Sequence, residues 1–192
     1  MLFRSILVGV LTISTEFDLR SVRAMLRSGG KSVFKAMTGK MAVYMVFAYI
    51  HFEILYRLMF KIFNIPIASS VSACLALSMC FAFASIALGM LLSSVLTTRA
   101  NALKSCLIIA APAFLLSGYT WPLDQIPLFL RKFSELIPLT PFLAGFRKIY
   151  MQGLGTEFII PYIRQLAISG LIFFILALII TGIRMKRKEP AK

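Results

Sequence analysis

VSACLALSMCFAFASIALGMLLSSVL, residues 71–96, carries no charged side chain. A helix rises about 1.5 Å per residue, so this run is more than long enough to cross roughly 30 Å of hydrocarbon. Its reading decides the fold, because a soluble domain has no use for so long an uncharged stretch. Composition agrees along the whole chain. Of 192 residues, 59% are hydrophobic and 15% charged, and the mean hydropathy is +0.88. These values exclude an ordinary soluble domain and make lipid part of the solvent.

Three further apolar runs flank this one. Met41–Phe63 is interrupted by His51, Glu53 and Arg57. Leu103–Ser117 is short and contains Pro112; it spans only if it starts near Asn101 and continues towards Trp121. Tyr162–Ile183 ends at Arg184. Leu2–Ser14 is an incomplete fifth run, readable as a partial spanning helix, a partly inserted anchor or a signal peptide, although no Ala-x-Ala site follows. The expected fold is all-α and integral to the membrane. It comprises four full transmembrane helices, a partial N-terminal one over 1–15, and a re-entrant hairpin over 119–153 before the last span. The other divisions are a cytoplasmic segment 16–40, a bundle 41–183 and a basic tail 184–192.

The net charge of +14 does not indicate nucleic acid. The cations cluster between and after the apolar runs, as in cytoplasmic loops. Arg20, Arg23, Arg27, Lys31, Lys35 and Lys40 precede the first full span. Arg99 and Lys104 occupy a short turn, and Arg184, Lys186, Arg187, Lys188 and Lys192 form the tail. The positive-inside rule puts these in the cytoplasm, C-terminus included, and the 119–161 region opposite. The asymmetry is imperfect, because Arg131, Lys132, Arg147 and Lys148 fall on the far side.

That far-side region is too apolar for an aqueous loop and too rich in proline for a span. Pro127 suits the first turn of a helix and Pro138 its stop. Thr140 suits the cap of a second helix, Pro141 its first turn and Gly153 its end. Ile126, Phe129, Leu130, Phe133, Leu136 and Ile137 make one apolar stripe; Phe142, Phe146, Ile149 and Tyr150 make another. Two readings stay open on these residues. The helices dip inward, with Phe133 and Leu136 packed beside the spans, or they lie on the outer surface.

Polar groups inside the spans are few. Glu53 and Arg57 are four apart and share a helix face, with Tyr49, Tyr56 and Lys61 on the same side. Charge at mid-membrane is costly, so this polar face should line an aqueous route or form an ion pair joining helices. Ser85, Gly89 and Ser93 recur every four residues, which suits close helix packing. Cys74, Cys80 and Cys106 sit in apolar runs without metal-ligand spacing, and His51 is the only histidine. No metal or cofactor follows from them. Gly30-Lys31-Ser32 ends like a phosphate-binding loop, but Met25 stands where that loop needs its first glycine.

Taken together, Ser117, Gly118, Tyr119, Trp121, Pro122 and Pro127, then Pro138, Leu139 and Thr140, then Arg147 and Gly153, resemble the segment after the fifth helix of ABC-2 type transporter permeases. Glu16–Arg20, Met25-Leu26 and Gly39-Lys40 are similar to that family's cytoplasmic segment, with Gly39-Lys40 opening the next span. The resemblance covers residues 16–188 and is to the C-terminal half of such a permease. It implies a permease subunit of an ABC-type export transporter in the inner membrane, with no catalysis of its own. It also implies a separate ABC ATPase, and a second permease copy or a homologous permease. On that resemblance, Met25 and Leu26, rimmed by Arg20, Arg23 and Arg27, would dock on the ATPase. A missing N-terminal half would be a further partner. The alternative function is a truncated or non-transporting assembly or anchoring subunit.

Overall fold

A computed structural model describes residues 33–63, 71–96, 99–118, 127–150 and 156–188. Six α-helices form among them: α1 Val33–Phe63, α2 Val71–Val95, α3 Arg99–Leu116, α4 Leu128–Leu136, α5 Leu139–Tyr150 and α6 Ile160–Lys188. A single 3₁₀ turn, Thr156–Phe158, leads into α6. The described residues contain no strand. Residues 1–32, including the incomplete first run and the Arg20, Arg23, Met25, Leu26 and Arg27 cluster, lie outside the described part.

Among the described residues, three stretches are long and apolar enough to cross a membrane: Val33–Leu58, Ser72–Val95 and Ile160–Arg184. The chain is thus an all-α, multi-pass membrane protein. α3, where a fourth span is expected, is not among these stretches. α3 has 18 residues, about 27 Å of helix against roughly 30 Å of hydrocarbon. It does not run on towards Trp121. Ser117 Oγ donates back to the Phe114 carbonyl at 2.7 Å, and Gly118 turns the chain with φ 76°, a conformation that stops a helix and suits glycine. The first span departs in the other direction. α1 begins at Val33 and continues through Gly39 and Lys40 without a break, so the helix of the first span starts before the expected Met41. Thr38 Oγ1 donates to the Phe34 carbonyl at 2.8 Å inside it, a bond that keeps the hydroxyl satisfied within a helix.

α2 is the central helix, with more than half of its spanning window buried. Ser85 and Ser93 are fully buried, so the small-residue stripe packs inside this chain. Against α2 lies α6, where a Cβ added at Gly170 would stand 2.6 Å from Phe83 Cδ1 and 3.0 Å from the Ala84 backbone. Only glycine allows that approach. Two apolar clusters hold the ends of the bundle. One gathers Phe52, Tyr56, Leu77, Phe81, Ile149 and Leu166; the other gathers Met37, Met41, Ile86, Met90, Phe174 and Ala177.

Candidate functional site

The hairpin α4–α5 occupies the first of these ends. Phe142 stacks on Phe81 with ring centroids 4.3 Å apart and on Phe146 at 5.8 Å. A Cβ at Gly145 would lie 3.1 Å from Leu77 Cδ2 and 3.3 Å from Tyr162 Cβ. As α5 advances from 142 to 145, its contacts on α2 retreat from 81 to 77. The two helices therefore run antiparallel, and the Ile137–Pro138 turn is the deepest part of the hairpin. Phe81 stands about 15 Å along α2 from its start.

Backbone chemistry explains the turn. Ile137 ends α4 in extended conformation, its N–H donating to the Ser134 carbonyl. Pro138 is fully buried, and its carbonyl accepts the Phe142 N–H at 3.3 Å. Two details differ from expectation. α4 starts after Pro127, which is its N-cap and not in its first turn. α5 starts at Leu139, so Thr140 lies within the first turn and does not cap it. Its N–H donates to the Ile137 carbonyl at 3.1 Å, while its hydroxyl is buried with no hydrogen-bond partner among the described residues. Pro141 does fall in the first turn.

Arg147 locks the hairpin to α3. Its Nη2 donates to the Gly118 carbonyl at 2.5 Å, which brings together three residues of the sequence pattern, Ser117, Gly118 and Arg147, from either end of the segment. A guanidinium suits this place, since it neutralises the negative end of α3 and satisfies a carbonyl the helix leaves open. Lys148 Nζ sits over the Tyr162 ring, 5.2 Å from its centroid, a cation–π contact. Trp121, Pro122 and Gly153 lie outside the described residues.

The apolar stripe of α4 faces away from the spans. Phe133 is 53% exposed and Leu136 60%, so neither packs beside the spans. Leu128 and Phe129 point outward too. The polar side turns in: Ser134 is fully buried, and Gln165 Nε2 of α6 donates to the Glu135 carbonyl at 3.1 Å. Ile137 alone of the described stripe is buried.

Glu53 and Arg57 do pair. Arg57 Nε donates to Glu53 Oε1 at 2.7 Å, and Nη2 lies 2.6 Å from the same oxygen. The pair is within one helix and does not join two. The shared face also divides: Arg57 is exposed, whereas Tyr56 is buried and its hydroxyl bonds to Ser78 Oγ of α2 at 2.5 Å.

Sequence reasoning missed two fastenings. Tyr56–Ser78 could have been found as polar groups in neighbouring spans, each needing a partner. In the sequence Arg184 reads only as a charge that sets topology. Its Nη1 donates to the Ser94 and Leu96 carbonyls, closing the end of α2 as Arg147 closes α3. Among the described residues no cluster of His, Cys, Asp and Glu could hold a metal.

The description "ABC-2 family transporter protein" belongs to the family profile that matches residues 1–179. The chain belongs to that family. ABC transporter G family member 20 of Dictyostelium discoideum is 24% identical over 127 residues, 66% of this chain and 17% of the relative. The probable multidrug ABC transporter permease YbhR of Escherichia coli strain K12 is 25% identical over 97 residues, 50% of this chain and 26% of the relative. This ABC-2 chain thus spans about a sixth to a quarter of the curated relatives it matches. No solved structure matches it.

Proposed function

We propose that this ABC-2 chain forms a membrane part of a permease that exports a substrate across the cytoplasmic membrane while a separate ABC ATPase hydrolyses ATP. The family match over residues 1–179 carries the reading. The names of the relatives, an ABC transporter and a multidrug permease, favour an amphipathic cargo. In this reading Met25 and Leu26 anchor the ATPase, with Arg20, Arg23 and Arg27 around them. The hairpin faces the far side and dips into the bilayer. The C-terminus is cytoplasmic, and a second copy or a homologous permease completes the pathway. Glu53 and Arg57, paired on the open side of α1, are positioned to face that second subunit or a water-filled route between the two.

Co-expression with an ABC ATPase from the same organism tests the proposal. The ATPase should co-purify with the chain, and in proteoliposomes its hydrolysis rate should depend on the chain. Met25→Asp with Leu26→Asp should release it without preventing insertion. An ATPase that is not retained, or whose rate ignores the chain, would overturn the proposal. A reporter active only outside the cytoplasm should be silent when fused after Lys188 and active when fused after Asp124. Activity after Lys188 would invert the topology.

A further inference from the structure

Behind α4, between the two arms of the hairpin and the start of α6, lies a cleft of about 160 Å³ lined by Arg131, Ser134, Glu135, Thr140, Tyr162 and Gln165, with Pro141 and Ala144 completing its wall. We propose that this cleft holds the phosphate group of a membrane amphiphile, such as a phospholipid headgroup. The proposal needs only that the chain is embedded in a bilayer; it does not depend on transport or on an ATPase.

Donors dominate the cleft. Arg131 brings a guanidinium whose fork matches phosphate oxygens. Its described ion pair, to Glu135 Oε1, is stretched to 3.8 Å with both side chains about half exposed. Such a pair is weak and screened, so Glu135 can turn to water and leave the fork to a second anion. Gln165 spends one amide hydrogen on the Glu135 carbonyl and retains another. Thr140 adds a hydroxyl that is buried and has no partner among the described residues. Leaving such a group unsatisfied costs about 1–3 kcal/mol, which a bound acceptor would recover. Lys148, held over Tyr162, contributes positive potential at the rim.

Depth and surroundings select an amphiphile. The spanning stretch of α6, Ile160–Arg184, has 25 residues, about 37 Å, some 7 Å longer than the hydrocarbon. Gln165 is about 7.5 Å in from Ile160, and the cleft opens beside the buried Ile137–Pro138 turn, within the depth of the spans. On the other side of α4, Leu128, Phe129, Phe133 and Leu136 turn outward and offer acyl chains an apolar wall. The site also accounts for a charge pattern that breaks the positive-inside rule. Of the far-side cations, Arg147 is committed to the Gly118 carbonyl and Lys148 to the Tyr162 ring, whereas Arg131, which lines the cleft, has only its stretched pair among the described residues.

Native mass spectrometry of the full chain, titrated in detergent with phosphatidic acid and with diacylglycerol, reads the site directly. Retention of phosphatidic acid and not of diacylglycerol is expected. Arg131→Gln should weaken phosphatidic acid binding about tenfold, and Arg131→Lys should restore part of it. Gln165→Leu, remote from Arg131 in sequence, should weaken it as well. Each variant's unfolding midpoint confirms that the chain is intact; Arg131 is exposed enough for its loss to spare the fold. Unchanged binding in both Arg131→Gln and Gln165→Leu, or equal retention of diacylglycerol, would overturn the proposal. Displacement of phosphatidic acid by millimolar inorganic phosphate would assign the cleft to free phosphate and overturn the lipid source.

Discussion

α4 and α5 are neighbours in sequence, both short, both amphipathic and both basic, yet they dispose of their apolar faces in opposite directions. α5 lays Phe142 and Gly145 against Phe81 and Leu77 of the central helix. α4 sends Phe129, Phe133 and Leu136 outward and keeps Ser134 inside. In water this would be perverse. In a membrane protein it is not, because lipid accepts an apolar face as readily as protein does. Polar atoms decide the orientation instead. The Glu135 carbonyl and Ser134 need partners away from hydrocarbon, and the start of α6 and the turn of α4 itself supply them. On α5 the deciding groups are Arg147 and Lys148, each of which finds an acceptor or ring only with the aromatic face turned inward.

The contrast makes unequal predictions for similar substitutions. Phe142→Ala removes a ring stacked on Phe81 and leaves a cavity, so a loss of about 3 kcal/mol is expected, seen as a lower unfolding temperature in detergent. Phe133→Ala should stay within about 0.5 kcal/mol; equal losses at the two positions would mean that α4 is packed after all. Next in size is Arg147→Gln. Losing the charged donor to the Gly118 carbonyl should cost about 2 kcal/mol and loosen the α3–α5 junction, measurable as faster amide exchange around Gly118. Smallest is Ser134→Ala. That hydroxyl donates only to the Arg131 carbonyl one turn back, so a change of about 0.5 kcal/mol is expected. A larger loss would show that Ser134 holds the polar side of α4 inside.

How much of this was legible in the residues follows from the same contrast. The uncharged run of residues 71–96, the span ending near Arg184 and the proline-bounded pair of short helices are local properties, fixed by period, length and the missing proline N–H. Ser117, Gly118 and Arg147 could be recognised as a pattern, but that the guanidinium reaches the Gly118 carbonyl could not, because nothing local joins positions so far apart. The end of α3 was not legible, since Tyr119 and Trp121 are apolar enough to extend a span and the left-handed turn at Gly118 leaves no mark in hydropathy. Thr140 read as a cap because its residue type and the following proline both suit one; the buried turn at Pro138 moved the helix start by a residue. The outward face of α4 was hidden for the reason above: an apolar stripe gives a direction but does not say whether lipid or protein lies there.

Single cysteines placed at Phe133 and Phe142, in a chain lacking Cys74, Cys80 and Cys106, test most directly whether one arm is built into the bundle and the other faces the bilayer. In membranes, Phe133→Cys should react with a lipid-soluble maleimide and resist a membrane-impermeant one, while Phe142→Cys reacts with neither. Rapid labelling of Phe142→Cys by the lipid-soluble reagent, at the rate found for Phe133→Cys, would contradict the account.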